Sequence, residues 1–187
     1  MPPSEGCPRN AALFEGARGG LWRTLFFLDG SVSKAKNRGV ECPSKITVRC
    51  PFCSTLNGVD LNKASERPLC GDCAKPLLFD RPIKIGGSDF DRTVLGSQAP
   101  VLVDFYADWC APCKFVAPLI DELAETHKGT LLVIKIDTDQ APELSQRFTI
   151  RGIPTLILFK AGEEIDRSVG FEPERVRSMV QEVLTSA

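Results

Sequence analysis

The chain has 187 residues, of which 43% are hydrophobic and 25% charged, and a formal net charge of −1. This length allows one ordinary domain with something smaller beside it, and the balanced charge argues against a nucleic-acid-binding protein. No apolar run approaches the ~20 residues of a membrane span, so we expect no membrane partner. Six of the eight cysteines form three Cys-x-x-Cys pairs, which indicates metal and redox chemistry in a reducing cytoplasm rather than a disulfide framework.

Residues 1–44 mix Gly, Ser, Pro and Arg without a sustained hydrophobic period, apart from the apolar patch 21–28. A segment that cannot bury a hydrophobic face is expected to stay disordered, so we predict a disordered N-terminal extension. An over-extended start of the reading frame is the alternative. The patch is not followed by a small-residue cleavage pattern, which argues against a signal peptide. Cys7 and Cys42 have no partner at this spacing and are expected to be free thiols.

Residues 45–82 contain two of the Cys-x-x-Cys pairs, separated by sixteen residues: Cys50 with Cys53, and Cys70 with Cys73. This spacing is typical of a zinc ribbon, in which four thiolates enclose one tetrahedral zinc ion and leave no open coordination position. We therefore predict a zinc-ribbon domain and linker with one structural zinc ion. Gly71 is expected to supply the tight turn of the second pair. Two disulfides would need an oxidising compartment, and a redox role of these thiols is the minority alternative.

From residue 83 onward, predicted strands and helices alternate. The runs 101–106 and 131–136 are almost entirely apolar, as expected for central strands covered on both faces. This order predicts an α/β domain at residues 83–187, with a mixed central sheet and helices on both faces. The predicted strands are 83–85, 100–106, 131–137, 155–160 and 164–168, and the predicted helices are 88–97, 111–127, 141–148 and 173–185.

The third pair, Cys110 and Cys113, lies where the strand 100–106 ends and a helix begins. Free N–H groups and the positive end of the helix dipole stabilise a thiolate at a helix N-terminus. Cys110 is therefore predicted to be the attacking nucleophile and Cys113 the thiol that resolves the mixed disulfide. Trp109 is expected to shield the pair while one sulfur stays open to a partner. Two reduced core cysteines or a structural disulfide are the less favoured alternatives.

Two blocks of this domain resemble the thioredoxin family. Residues 103–114, VDFYADWCAPCK, resemble its active-site block, and residues 151–155, RGIPT, resemble its substrate-facing turn. The resemblance covers about residues 83–187, and residues 46–187 as a whole resemble the zinc-containing bacterial members. It implies a thioredoxin fold and a monomeric, cytoplasmic protein-disulfide reductase without an organic cofactor. The implied partners are disulfide-bonded proteins and NADPH-dependent thioredoxin reductase.

The resemblance also implies roles for residues around the cysteines. Asp104 matches the family's buried acid and Lys135 its nearby partner. Burial should raise the pKa of the Asp104 carboxyl and suit it to accept the Cys113 proton.

Further matches concern the substrate. Pro154 would be a cis-proline, and the backbone of Ile153 before it would pair with an extended peptide beside the attacking sulfur. Gly170 matches a glycine that lines the peptide groove. Ala111, where the family most often has glycine, and Tyr106, which replaces a common tryptophan, are departures from the pattern.

Two other classes of function are compatible with parts of the sequence. The ribbon would make the chain a binding module for a protein or nucleic acid, although the intact Cys110 and Cys113 pair argues against this as the sole role. Phe52 alone does not form the basic aromatic face that such binding needs. A zinc-linked redox sensor, in which oxidation of the ribbon thiols ejects the metal, is compatible with disulfide reduction by the same chain.

Overall fold

The computed structural model describes residues 44–185. The predicted extension, with Cys7 and Cys42, lies outside the described residues except for Ser44. Within the described part of the chain, every helix is too short or too polar to cross a membrane.

The first described segment is a small sheet that carries the two ribbon cysteine pairs. Strands β1 (Lys45–Arg49) and β2 (Leu56–Asp60) pair antiparallel, and Cys50 and Cys53 lie in the turn that joins them. A 3₁₀ helix, Leu61–Glu66, follows β2. An isolated antiparallel bridge between Leu69 and Pro76 then encloses the second pair. Each pair therefore occupies its own turn, as the spacing predicts for a zinc ribbon.

The rest of the chain forms a five-stranded sheet with helices on both faces, which confirms the predicted fold class. The strands are β3 (Ile83–Lys84), β4 (Val101–Tyr106), β5 (Leu132–Asp137), β6 (Thr155–Lys160) and β7 (Glu163–Val169). The helices are α1 (Ala111–Thr126), α2 (Pro142–Arg147) and α3 (Pro173–Thr185). The order in the sheet is β3-β5-β4-β6-β7, with β5 parallel to β3 and β4, and β6 antiparallel to β4 and β7.

The segment predicted as a helix at residues 88–97 differs from the prediction. A 3₁₀ turn at Gly87–Asp89 is followed by a π-helical turn at Asp91–Leu95, which the N–H of Gly96 closes by bonding to the Asp91 carbonyl at 2.8 Å. Glycines at both ends weaken the tendency to form a regular α-helix. The other predicted helices and strands agree with the structure to within two residues at each end.

Buried side chains on the two faces of β4 belong to different clusters. Val101, Val103 and Phe105 pack on one face, and Leu102 packs on the other under α1 and α3. All six residues of β4 are buried, which explains why all but Asp104 are apolar. Because β4 is buried at the centre of the sheet, its carboxyl end has a fixed position. The N-terminus of α1, which follows it, is positioned by this strand.

The ribbon packs against the sheet domain. Ile46 and Val48 of β1 belong to the same buried cluster as Phe90 and Val94. Beside them, the Arg49 guanidinium donates two hydrogen bonds of 2.7 Å to the carboxylate of the buried Asp89. Apolar contacts and a bidentate ion pair therefore join the ribbon and the sheet domain.

Candidate active site and metal centre

Cys110 and Cys113 lie at the N-terminus of α1 and are joined by a disulfide bond. Cys110 is the N-cap residue, and its Sγ accepts a hydrogen bond from the Cys113 N–H at 3.2 Å. Pro112 occupies the first turn, where a missing N–H costs no hydrogen bond. In the reduced form, this N–H and the helix dipole favour the thiolate of Cys110 over its thiol.

Both cysteines of the pair are buried. Cys110 is only 3% exposed and Cys113 only 5% exposed. Tyr106, Ala107 and Ile153 pack around the two cysteines. These residues come from two segments of the chain, the end of β4 and the cis-proline turn.

A second segment, predicted to face the substrate, lies directly beside Cys110. The Ile153–Pro154 peptide bond is cis, as the resemblance implies, and the Ile153 carbonyl oxygen lies 3.8 Å from the Cys110 Sγ. Gly170 donates its N–H to the Pro154 carbonyl at 2.8 Å and has a φ of 91°, which favours glycine. The structure thus brings these three predicted residues together on one side of the sulfur.

Trp109 projects into solvent and is 71% exposed. Its indole Nε1 donates a hydrogen bond of 2.8 Å to Oδ2 of Asp139, which orients the ring. Sequence reasoning missed Asp139. It lies just after β5, and the loops that follow the carboxyl ends of the parallel strands β4 and β5 meet at the same edge of the sheet.

Asp104 and Lys135 are opposite each other on the parallel strands β4 and β5. The Lys135 Nζ is 3.4 Å from Oδ2 of Asp104, and neither carboxylate oxygen has a hydrogen-bond partner within residues 44–185. Burial raises the pKa of Asp104 to about 6, although the nearby ammonium group of Lys135 opposes this shift. A carboxyl with this pKa can both take and release a proton near neutral pH.

The four ribbon sulfurs converge on one point. All four Sγ atoms of Cys50, Cys53, Cys70 and Cys73 lie within 4.8 Å of one another. Across the two turns, Cys50 is 3.7 Å from Cys73 and Cys53 is 3.5 Å from Cys70. A tetrahedron with Zn–S bonds of ~2.3 Å has sulfur–sulfur edges of about 3.8 Å. Four thiolates at these distances fit one tetrahedral zinc ion.

The two cysteine turns repeat the same backbone hydrogen bonds. Cys50 N–H bonds to the Thr55 carbonyl at 2.9 Å, and Cys70 N–H bonds to the Lys75 carbonyl at 2.9 Å. The residues after the second cysteines, Ser54 and Ala74, have φ values of 62° and 56°.

Gly71 lies in the turn of the second pair, as predicted, but its backbone is not left-handed. The reversal occurs at Ala74, which must bring its own N–H back to the Cys70 carbonyl, 3.0 Å away. Gly71 instead donates its N–H to the side-chain oxygen of Asn57 at 2.9 Å.

Asn57 is a buried polar residue that sequence reasoning also missed. Its Nδ2 lies 3.5 Å from the Cys70 Sγ as a hydrogen-bond donor. The backbone N–H groups of Cys73 and Asp72, with this amide, lower the pKa of the Cys70 thiol to about 6. Zinc binds the thiolate form, so these donors prepare the sulfur for a metal.

Comparison with known proteins gives matches mainly to the sheet domain. The thioredoxin family model matches residues 81–182. Thioredoxin 1 of Nostoc sp. is 43% identical over 99 residues, which are 53% of this chain and 92% of that protein. The thioredoxin of Synechocystis sp. is 43% identical over 91 residues, 49% of this chain and 85% of that protein. A longer match, 32% identical over 174 residues, is to thioredoxin M5, chloroplastic, of Oryza sativa, and it covers 93% of this chain and 83% of that protein.

Proposed function

The chain belongs to the thioredoxin family and is a thiol-disulfide oxidoreductase; from this premise we propose that it reduces protein disulfides in the cytoplasm and is itself reduced by NADPH-dependent thioredoxin reductase. One observation carries the proposal. Cys110 is the N-cap residue of α1, and its sulfur accepts a hydrogen bond from the Cys113 N–H. It also lies beside the cis-proline turn. A nucleophile, a resolving thiol and a backbone edge for a peptide thus meet at one point.

The proposed reaction proceeds in two exchanges. The Cys110 thiolate attacks one sulfur of a substrate disulfide, forms a mixed disulfide and releases the other substrate sulfur as a thiolate. Cys113 then attacks the Cys110 sulfur, which forms the Cys110–Cys113 disulfide and releases the second substrate thiolate. Asp104, with Lys135 beside it, takes the proton from Cys113 in this second step. Two electrons pass from the dithiol to the substrate.

Substrate binding is assigned to the residues around the sulfur. We propose that the backbone of Ile153 and Pro154 pairs with an extended segment of the substrate and that Gly170 leaves room for it. Trp109, held by Asp139, provides an apolar wall on the other side. These contacts would orient the disulfide for attack along the axis of its S–S bond.

We further propose that the four ribbon cysteines bind one structural zinc ion. In this proposal the chain is a zinc-containing thioredoxin of the thioredoxin 2 type. The convergence of the four sulfurs within 4.8 Å supports this. Bound zinc would supply a closed, non-catalytic cross-link for a ribbon at residues 45–82 that has little core of its own. Residues 83–187 form the catalytic domain in this proposal, and the protein acts as a monomer.

The zinc site is also proposed to be sensitive to oxidation. Cys53 and Cys73 are only partly buried, while Cys50 and Cys70 are buried. An oxidant therefore reaches one sulfur in each turn. Oxidation of either would remove a zinc ligand and release the metal.

An NADPH-coupled assay with thioredoxin reductase tests the main proposal. The reduced protein should accelerate NADPH consumption with a disulfide-bonded protein substrate, and the Cys110→Ser variant should not. The same assay after zinc removal separates the two sites, because the active site lies entirely outside the ribbon. Failure of the intact protein to be reduced by the reductase would contradict the proposed recycling.

A further inference from the structure

Four polar side chains share one face of the sheet beside the active site. In the parallel register, Lys84 of β3 is opposite Lys135 of β5, and Lys135 is opposite Asp104 of β4. Tyr106 follows Asp104 by two residues on β4 and therefore points to the same face. Because β5 lies between β3 and β4 in the sheet, Lys135 lies between Lys84 and Asp104.

The ring of Tyr106 attracts both ammonium groups. The Nζ of Lys135 is 4.6 Å from the ring centroid, and the Nζ of Lys84 is 5.5 Å from it. A cation within about 6 Å of an aromatic centroid is attracted by the ring. Tyr106 is 8% exposed and packs against Cys110 and Cys113. The two ammonium groups are therefore connected to the cysteine pair through one buried ring.

Lys84 supplies a permanent positive charge on the outer side of this arrangement. Its interaction with the Tyr106 phenol raises the pKa of Lys84, and the carboxylates of Asp108 and Asp137 act in the same direction. Lys84 therefore stays protonated throughout the pH range of thiol-disulfide exchange. The residue is exposed, whereas the side chain of Lys135 is only 16% exposed. The charge of Lys84 thus lies on the solvent side of Lys135.

The ionised form of Asp104 depends on where Lys135 lies. The ammonium group of Lys135 lowers the pKa of Asp104 against the effect of burial. On the other sides, β6 places the apolar Leu156 opposite Asp104, and α1 covers this face with apolar residues such as Val116. Cys113 is the titratable group that α1 brings to the ring. An ammonium group is strongly hydrated and its stem is flexible, so Lys135 can also turn towards solvent across the two-residue edge strand β3.

We propose that Lys84 is a positioning residue for the proton transfer between Cys113 and Asp104. Its ammonium group occupies the solvent side of the Tyr106 ring and repels the ammonium group of Lys135, which keeps Lys135 against the Asp104 carboxylate. More of Asp104 is then ionised and ready to take the Cys113 proton. This inference rests on the proposed disulfide reductase function, and it assigns a role to a residue outside the two blocks that resemble the family.

Carbon-13 NMR of the oxidised protein measures the titration of the Asp104 carboxyl, and Asp104→Asn identifies its resonance. Lys84→Met should raise the midpoint of this titration by about half a pH unit. Lys84→Glu should raise it by about one unit, because a carboxylate at this position attracts Lys135 outward. Lys84→Arg keeps the charge, and Lys63→Met removes an exposed lysine of the ribbon. Both of these control variants should leave the midpoint unchanged.

A double variant separates positioning from a direct effect of charge. Lys135→Met alone should raise the midpoint by about one pH unit or more, because it removes the cation beside the carboxylate. Adding Lys84→Met in this background should give no further shift, since Lys84 acts through Lys135. An equal shift by Lys84→Met with and without Lys135 would show that Lys84 acts on Asp104 directly, and would overturn the proposal. An unchanged midpoint in Lys84→Glu would overturn it as well.

The rate of the resolving step tests the same arrangement during the reaction. The pre-reduced protein is mixed with bis(2-hydroxyethyl) disulfide, so that Cys110 forms a mixed disulfide and Cys113 then resolves it, each step releasing one 2-mercaptoethanol. Acid quenching and mass spectrometry follow the mixed disulfide. Lys84→Glu should resolve it about fivefold more slowly at pH 6 and at nearly the normal rate at pH 8, because the Asp104 carboxylate is the base.

The two measurements distinguish failure of the inference from failure of the proposed function. An equal loss of the resolving rate at pH 6 and pH 8 would contradict a role of Lys84 in the proton transfer. If the unaltered protein does not reduce bis(2-hydroxyethyl) disulfide, the proposed function fails. The NMR titration of the oxidised protein needs no turnover, so it still decides whether Lys84 keeps Lys135 against Asp104.

Discussion

The three Cys-x-x-Cys pairs have the same spacing, and the backbone after the second cysteine distinguishes them. After Cys113, α1 continues to Thr126. After Cys53 and Cys73, the chain reverses at left-handed residues, Ser54 and Ala74. In the helix the two sulfurs of one pair bond to each other, whereas in the ribbon each sulfur faces the other pair. Spacing alone therefore does not assign a cysteine pair to redox or metal chemistry.

The largest expected effect concerns the helical pair. Cys110→Ser should abolish disulfide reduction, because a serine hydroxyl does not supply a thiolate nucleophile. Cys113→Ser should still attack but not resolve, so substrate proteins should accumulate as adducts through Cys110. Non-reducing gels with mass spectrometry identify the linked residue.

The ribbon offers the matched control for this experiment. Cys53→Ser removes a thiol with the same spacing and should leave reduction intact without trapping substrate. Trapping by Cys110→Ser instead of Cys113→Ser would reverse the assignment of nucleophile and resolving thiol.

Metal content should depend on the ribbon pairs and not on the helical pair. The protein, purified under reducing, chelator-free conditions, should hold about one zinc per chain. Cys70→Ser should lose it and with it the ribbon fold, since zinc stabilises such small modules by on the order of 10 kcal/mol. Elemental analysis and thermal unfolding measure both effects. Loss of zinc from Cys113→Ser would break the division between the two kinds of pair.

Asp104 gives a smaller effect, confined to the redox side. Its pKa is about 6 in the folded chain against an ordinary 3.8. The folded state thus binds this proton more tightly, so the stabilisation is complete below pH 3.8 and is lost as the pH rises through 6. Two pKa units correspond to about 3 kcal/mol.

Urea unfolding of the oxidised protein at pH 4 and pH 7.5 measures this change. Asp104→Asn removes the ionisation. The free energy of unfolding of the variant, relative to that of the wild type, should therefore rise by about 1–3 kcal/mol between pH 4 and pH 7.5. The exposed Asp108→Asn is the control and should follow the wild type. A pH dependence of Asp104→Asn identical to that of the wild type would show that Asp104 is not the group responsible.

The smallest effect concerns the contact between the two regions. Asp89→Asn should lower the free energy of unfolding by about 1–3 kcal/mol, because Asp89 is buried and receives two hydrogen bonds from Arg49. Asp91 lies on the same segment as Asp89 and forms an exposed ion pair with Arg147. Asp91→Asn removes this pair and should lower the free energy of unfolding by less than about 1 kcal/mol. Equal losses would mean that the ribbon contact contributes no more than a surface ion pair.

Much of this protein follows from local sequence pattern. Apolar runs predict the central strands, because a strand covered on both faces needs no polar side chain. A cysteine directly before a helix predicts its role from the groups that any helix N-terminus exposes. The ribbon spacing likewise predicts four converging sulfurs. These inferences need only the residue pattern along the chain. The structure agrees with the predicted elements apart from the helix at residues 88–97, and with the convergence of the sulfurs.

Contacts between distant residues depended on the tertiary structure. Asp139 reaches Trp109 from another loop, Asn57 reaches Cys70 across the ribbon, and Arg49 reaches Asp89 across the two regions. The sequence also did not predict the left-handed backbone at Ala74, because an alanine gives no local indication of it. Periodicity records which face of an element is buried, but which side chains meet there depends on how the strands and loops are arranged in space.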